Sequence, residues 1–123
     1  MELIVYVMFL HFLADFVFQS DEMAQNKYNS LYWLTYHIGT YGLVLSLGLH
    51  LVGISTVFEA ISFEGMWLYL LVNMGLYFMV DFVTSKITHH YWDKKEVHKF
   101  FVTIGFDQFL HFACLYLTLG VLQ

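Results

Sequence analysis

The chain has no proline, no arginine, one cysteine and only 12% charged residues in its 123 positions. Each shortage excludes something. Without proline, nothing obliges a helix to kink. Without arginine, and with five lysines against ten acidic residues, there is no footprint for nucleic acid. A single cysteine, Cys114, rules out an intrachain disulfide. The charged fraction falls far below the roughly 25% typical of soluble domains. What is abundant is apolar: 59% of residues are hydrophobic and 20% aromatic, as an integral membrane protein requires. The start of the chain lacks a basic region and a small-residue cleavage site, so it is expected to be a retained first helix rather than a signal peptide.

Four apolar runs predict an all-α protein, a four-helix transmembrane bundle with short loops forming a single domain over 1–123. The helices are expected at about 3–19, 31–54, 66–88 and 100–122. The first is short for the roughly 30 Å of hydrocarbon it must cross. A polar stretch at 20–30 suits a short interfacial helix capped by Ser20 or Asp21. Residues 55–65, with Glu59 and Glu64, read as one loop, and 89–99 as a second, polar one. Gly39, Gly42, Gly48 and Gly53 allow the second helix to approach its neighbours closely. Lys27 lies between the first two runs, and Lys86, Lys94, Lys95 and Lys99 at the junction of the last two. The positive-inside rule therefore makes those two junctions cytoplasmic and leaves both termini outside, in a cell inner membrane.

Ionisable residues inside such runs are costly and are functional candidates by default. His11 and Asp15 share one helix face, as do Asp107 and His111, because residues four apart do so. His37 and Asp81 interrupt the two middle runs. Counted inward from the cytoplasmic ends, all six fall in a band about 10 Å thick. Three His and three Asp suit a divalent transition metal such as zinc, manganese or iron, in one or two ions. One ion would leave about one negative charge, which Lys86 is placed to offset; two bridged by hydroxide would leave about none. Hydrogen bonding between helices is the competing account of any one of the six. Asn73, Tyr77, Asp81 and Ser85 form a stripe at every fourth position, suited to orienting ligands or to joining helices. Gln19, Asn26 and Lys27 are rim candidates, and Gln108 is a further candidate for orienting ligands, expected on a different face from Asp107 and able to hydrogen-bond a neighbour. Cys114, one turn beyond His111, is expected to pack rather than ligate. His50 is expected toward the outer side, and His89, His90 and His98 in solvent.

The run His11-Phe12-Leu13-Ala14-Asp15-Phe16-Val17-Phe18-Gln19, with Met23-Ala24 and Asn26-Lys27, resembles the opening signature of a family of small bacterial and phage membrane proteins of unknown function. His37, Asp81 with Lys86, and the closing Asp107-Gln108-x-x-His111 complete the likeness. In outline it is similar to inner-membrane proteins described as metal-dependent hydrolases. The leading expectation is thus a metal-dependent hydrolase acting from the cytoplasmic side on a lipid or lipid-linked phosphate or acyl ester. His11, Asp15, His37, Asp81, Asp107 and His111 would be ligands, one Asp the alternative general base, and Lys86 a phosphate holder. The alternatives are an ion, metal or proton transporter subunit, which would need a homo-oligomer, and a non-enzymatic modulator of a partner membrane protein.

Overall fold

The computed structural model describes residues 2–54 and 61–122. Among these the chain is helical, with no strand. Helix α1 (Leu3–Phe12) runs directly into a π-helical turn, Leu13–Val17. A short α2 (Asp21–Asn26) follows, then α3 (Leu31–Ile54), α4 (Phe63–Asp93) and α5 (Val97–Leu117), and a 3-10 turn, Leu119–Leu122, ends the described chain. Most of the expected loop at 55–65, with Glu59, lies outside the described residues.

Local chemistry explains the boundaries. Ser20 starts α2 by accepting a hydrogen bond from the Met23 amide at 3.3 Å, as an N-cap serine does. Ser62 does the same for α4 through the Gly65 amide at 3.0 Å. Two expectations are corrected here. The third helix is not confined to 66–88, and residues 89–99 are not one loop: α4 continues to Asp93 and α5 begins at Val97. At about 1.5 Å per residue, a helix this long outruns a bilayer core, so its polar last turns need no apolar surroundings. Only Lys94, Lys95 and Glu96 turn the chain. There the Glu96 amide donates to the Tyr91 carbonyl and the Lys95 amide to the Trp92 carbonyl, both at 3.0 Å, with Lys95 at φ 56°. This is the paired 6→1 and 5→2 stop that usually recruits glycine.

Helix α4 is the central element, packed on α5, α3 and the C-terminal turn, while α1 lies against α3 and α5. Close approach depends on small residues: Gly42 lies beneath the Met74 side chain and Gly48 beneath Leu10. Tyr6 donates from α1 to the Gly48 carbonyl at 2.9 Å, and Tyr69 from α4 to the Leu115 carbonyl at 3.0 Å.

The core is apolar, built on Val7, Leu34, Leu45, Leu49, Tyr69 and Leu115, but it encloses ionisable groups while large apolar side chains cover the outside. Phe9, Leu43, Leu51, Leu71, Met79 and Leu117 face outward. His11, Asp15, His37, Asn73, Asp81 and His111 are buried. Helices α4 and α5 are long and apolar enough to cross a membrane; Leu3–Val17 is apolar but shorter.

Candidate metal centre

Each packed helix contributes to one buried cluster. The last turn of α1 supplies His11 and the π-helical turn supplies Asp15; α3 supplies His37, α4 Asp81 and Tyr77, and α5 Asp107, Gln108 and His111. The π-helical turn carries Asp15 into the cluster. The six expected residues therefore converge.

Asp15 sits at the middle. One of its oxygens accepts from Tyr77 and lies 3.4 Å from His37 Nε2. The other accepts from Gln108 Nε2 at 2.9 Å and lies 3.4 Å from His11 Nε2. Asp81 meets His111 Nε2 at 3.1 Å and His37 Nε2 at 3.4 Å. Asp107 accepts from Thr84 at 2.5 Å and Gln108 at 3.2 Å, and lies 3.4 Å from His111 Nε2. The rings of Tyr77 and His111 stack with centroids 3.9 Å apart. His11 Nε2 is 3.0 Å from Gln108 Oε1 and His37 Nε2 is 3.1 Å from the Tyr77 oxygen, while Nδ1 of each is buried without a hydrogen-bond partner.

The cation of the cluster is Lys27, which the sequence places only on the rim. It reaches in from the end of α2 and donates to Asp81 at 2.8 Å. Burial opposes its charged form, but the Asp81 and Asp15 carboxylates outweigh burial and raise its pKa above the ordinary lysine value. Lys86, expected to hold a phosphate or balance the ions, is exposed on α4 with its ammonium 3.6 Å from the centroid of the Phe82 ring. Residues 81 and 86 are five apart, so a helix turns Lys86 away from the face that carries Asp81.

Gln108 bonds its neighbours, as expected, and more of them than its face suggests. Although next to Asp107, it bonds His11, Asp15 and Asp107 together. The polar stripe of α4 divides. Tyr77 and Asp81 are central, whereas Ser85 bonds the Asp81 carbonyl of its own helix at 2.6 Å. Asn73 is tied to Thr118 at 2.9 Å and joins α4 to the chain just after α5. Asn26 bonds the Glu22 carbonyl within its own short helix. His50 bonds the Ser46 carbonyl, and His89 pairs with Asp93 at 3.0 Å.

Beside the cluster is a cavity of about 240 Å³. Its polar wall is Asp15, Gln19, Lys27, Asp81, Thr88, Asp107 and Gln108; Phe16, Ala24, Phe100 and Ile104 line the remainder. Within the cluster, Asp15, Asp107 and His111 offer ligand atoms that all lie within 4.8 Å of one another, a group able to hold a metal ion. Carboxylate oxygen and imidazole nitrogen are both ordinary donors to divalent transition metals.

No curated protein and no solved structure matches this chain. One family model matches residues 3–123, that described as a protein of unknown function, DUF3307. The chain belongs to the DUF3307 family of proteins of unknown function.

Proposed function

We propose that this protein is a metal-dependent hydrolase embedded in the cell inner membrane, acting from the cytoplasmic side on a lipid or lipid-linked phosphate or acyl ester. The observation that carries this reading is the convergence of His11, Asp15, His37, Asp81, Asp107 and His111 on one buried cluster beside a cavity. The outward apolar faces and buried polar groups support a four-helix transmembrane bundle, with α1, α3, α4 and α5 as spans. The Lys-bearing turns are then cytoplasmic and both termini outside.

Charge favours one ion over two. Three carboxylates and Lys27 leave two negative charges when the imidazoles are neutral, and one zinc, manganese or iron(II) ion balances them. Asp15, Asp107 and His111 are the primary ligands, with His11 and His37 beside them. A divalent ion in such a site supplies Lewis acidity and hydroxide at neutral pH. Tyr77 and Gln108 hold Asp15, Thr84 holds Asp107, and Lys27 holds Asp81 beside His111. Partners of this kind orient ligands, and their loss commonly costs about 10–100-fold in affinity or activity. The reaction consumes water and releases an alcohol together with an acid.

Elemental analysis of tag-free protein purified in detergent tests the reading. About one equivalent of a transition metal is expected, lost in folded Asp107→Asn and His111→Ala variants together with ester hydrolysis in vesicles. A folded, monodisperse protein that takes up no metal when supplied with it would overturn the proposal. In that event the cluster is a hydrogen-bonded or proton-carrying network, and transport assays replace hydrolysis.

A further inference from the structure

The cavity beside the cluster restricts what can enter. At about 240 Å³ it is smaller than the roughly 300–1,000 Å³ of pockets that engulf whole small molecules. An ester group and its immediate neighbours fit; hydrocarbon chains do not. Phe16, which lines the cavity, is 55% exposed, so the wall passes directly to the apolar outer surface where chains can lie.

Charge restricts the entrant further. The chain has no arginine, and every lysine is accounted for. Lys27 is 2.8 Å from Asp81, Lys86 stands over Phe82, Lys99 pairs with Glu96 at 2.5 Å, and Lys94 and Lys95 lie in the exposed turn. With one divalent ion in place, the cluster's three carboxylates are balanced and no cation remains. Any anion then enters without a spare cation, and a phosphomonoester brings up to two charges where a diester brings one; desolvation cost rises steeply with charge, so the monoester is the far more expensive entrant.

The wall also contains an unanswered acceptor. Gln19 Oε1 is buried without a hydrogen-bond partner, and Gln19 lines this cavity. Gln108, on the same wall, is by contrast fully engaged with His11, Asp15 and Asp107. Leaving a buried polar group unmet costs about 1–3 kcal/mol, so a ligand that brings a donor to Gln19 gains over one that does not.

We propose that the cavity takes a lipid ester carrying at most one negative charge, a phosphodiester or carboxylic ester with a hydroxyl or amide N–H beside it, and that Gln19 reads that donor. The inference rests on the metal-site reading above and narrows its substrate class. Gln19 is a specificity residue and is not needed to hold the ion.

The test uses the full chain in dodecyl maltoside, loaded with cobalt(II), whose visible spectrum reports ligands near the ion without turnover. Three dihexanoyl probes are titrated: phosphatidylglycerol, a diester with hydroxyls; phosphatidylcholine, a diester without a donor; and phosphatidic acid, a monoester. Phosphatidylglycerol is expected to shift the spectrum at about tenfold lower concentration than either other probe, the size of one buried hydrogen bond. Gln19→Leu should keep the probe-free spectrum, lose the preference over phosphatidylcholine and retain the preference over phosphatidic acid. Phosphatidic acid acting at equal or lower concentration overturns the charge limit. An undiminished preference over phosphatidylcholine in Gln19→Leu overturns the assignment of Gln19. Failure to bind cobalt at all overturns the parent reading and this one together, and is recognised before any lipid is added.

Discussion

Lys27 decides the electrostatics of the cluster. Its partner Asp81 is almost wholly buried, its side chain 1% exposed. Removing one member of a buried pair strands the other and costs about 3–5 kcal/mol. Lys27→Met should therefore lower thermal stability in detergent by that order, and adding Asp81→Asn should recover much of the loss. The pH dependence follows from the direction of the shift. A raised lysine pKa contributes stability that is fully present below the ordinary value of about 10.4 and is lost only as pH rises through the higher folded value. The Lys27→Met defect should thus be the same at pH 6 and pH 9, and a defect that halves over that range would refute the pairing. His11 with Asp15 and Asp107 with His111 were legible in the sequence because i, i+4 spacing survives any rotation of the helix. His37 and Asp81 were legible as lone ionisable groups in apolar runs. Lys27 was not, because its backbone lies in a polar connection and a long side chain hides its reach. The signal that could have found it was charge: three buried carboxylates call for a cation nearby. Gln108 was legible as a hydrogen-bonding neighbour but not as the link between His11, Asp15 and Asp107, since a long amide reaches around a helix past the face its Cα occupies.

At the scale of the elements, helix existence was legible, as were the starts of α1 at Leu3 and α3 at Leu31, but the junction of α4 and α5 was not. Hydropathy marks where a helix leaves apolar surroundings, which places the boundary near Thr88. The backbone stops where a stop signal stands, at Lys94–Glu96. Lys95 holds a conformation that costs a side-chain-bearing residue about 1–2 kcal/mol. Lys95→Gly should accordingly stabilise the protein by roughly 1 kcal/mol, read as a higher unfolding midpoint. Gly65→Ala should do the opposite. An added Cβ there would lie 2.4 Å from the Val121 carbonyl oxygen and 3.0 Å from the Leu122 carbonyl carbon, both backbone. Overpacking of this kind costs about 1–3 kcal/mol, and it should loosen the 3-10 turn from the start of α4. The π-helical turn has its own effect on phase. Residues four apart on an α-helix drift by about 40° per step. The wider turn at Leu13–Val17 offsets that drift, so His11 and Asp15 both reach Gln108 on the same side of the bundle.

For the whole molecule, the proposed orientation can be checked directly. In a Cys114→Ser background, Lys94→Cys should react with an impermeant thiol reagent only from the cytoplasmic side, and Glu2→Cys only from the outside. The reverse pattern would place the cluster in the opposite leaflet and remove the cytoplasmic substrate from consideration. The tight turn at Lys94–Glu96 bears on how such a molecule is made. Among the described residues it joins two helices long and apolar enough to cross a membrane, so in the proposed arrangement they can go in as one hairpin. The earlier-made α1 carries His11 and Asp15 on a short apolar stretch that fits poorly by itself. It gains a stable berth once Gln108 and Tyr77 are present to receive those two residues. Biogenesis would then run partly against the order of synthesis: the C-terminal hairpin is the scaffold, and α1, though made first, is drawn onto it last.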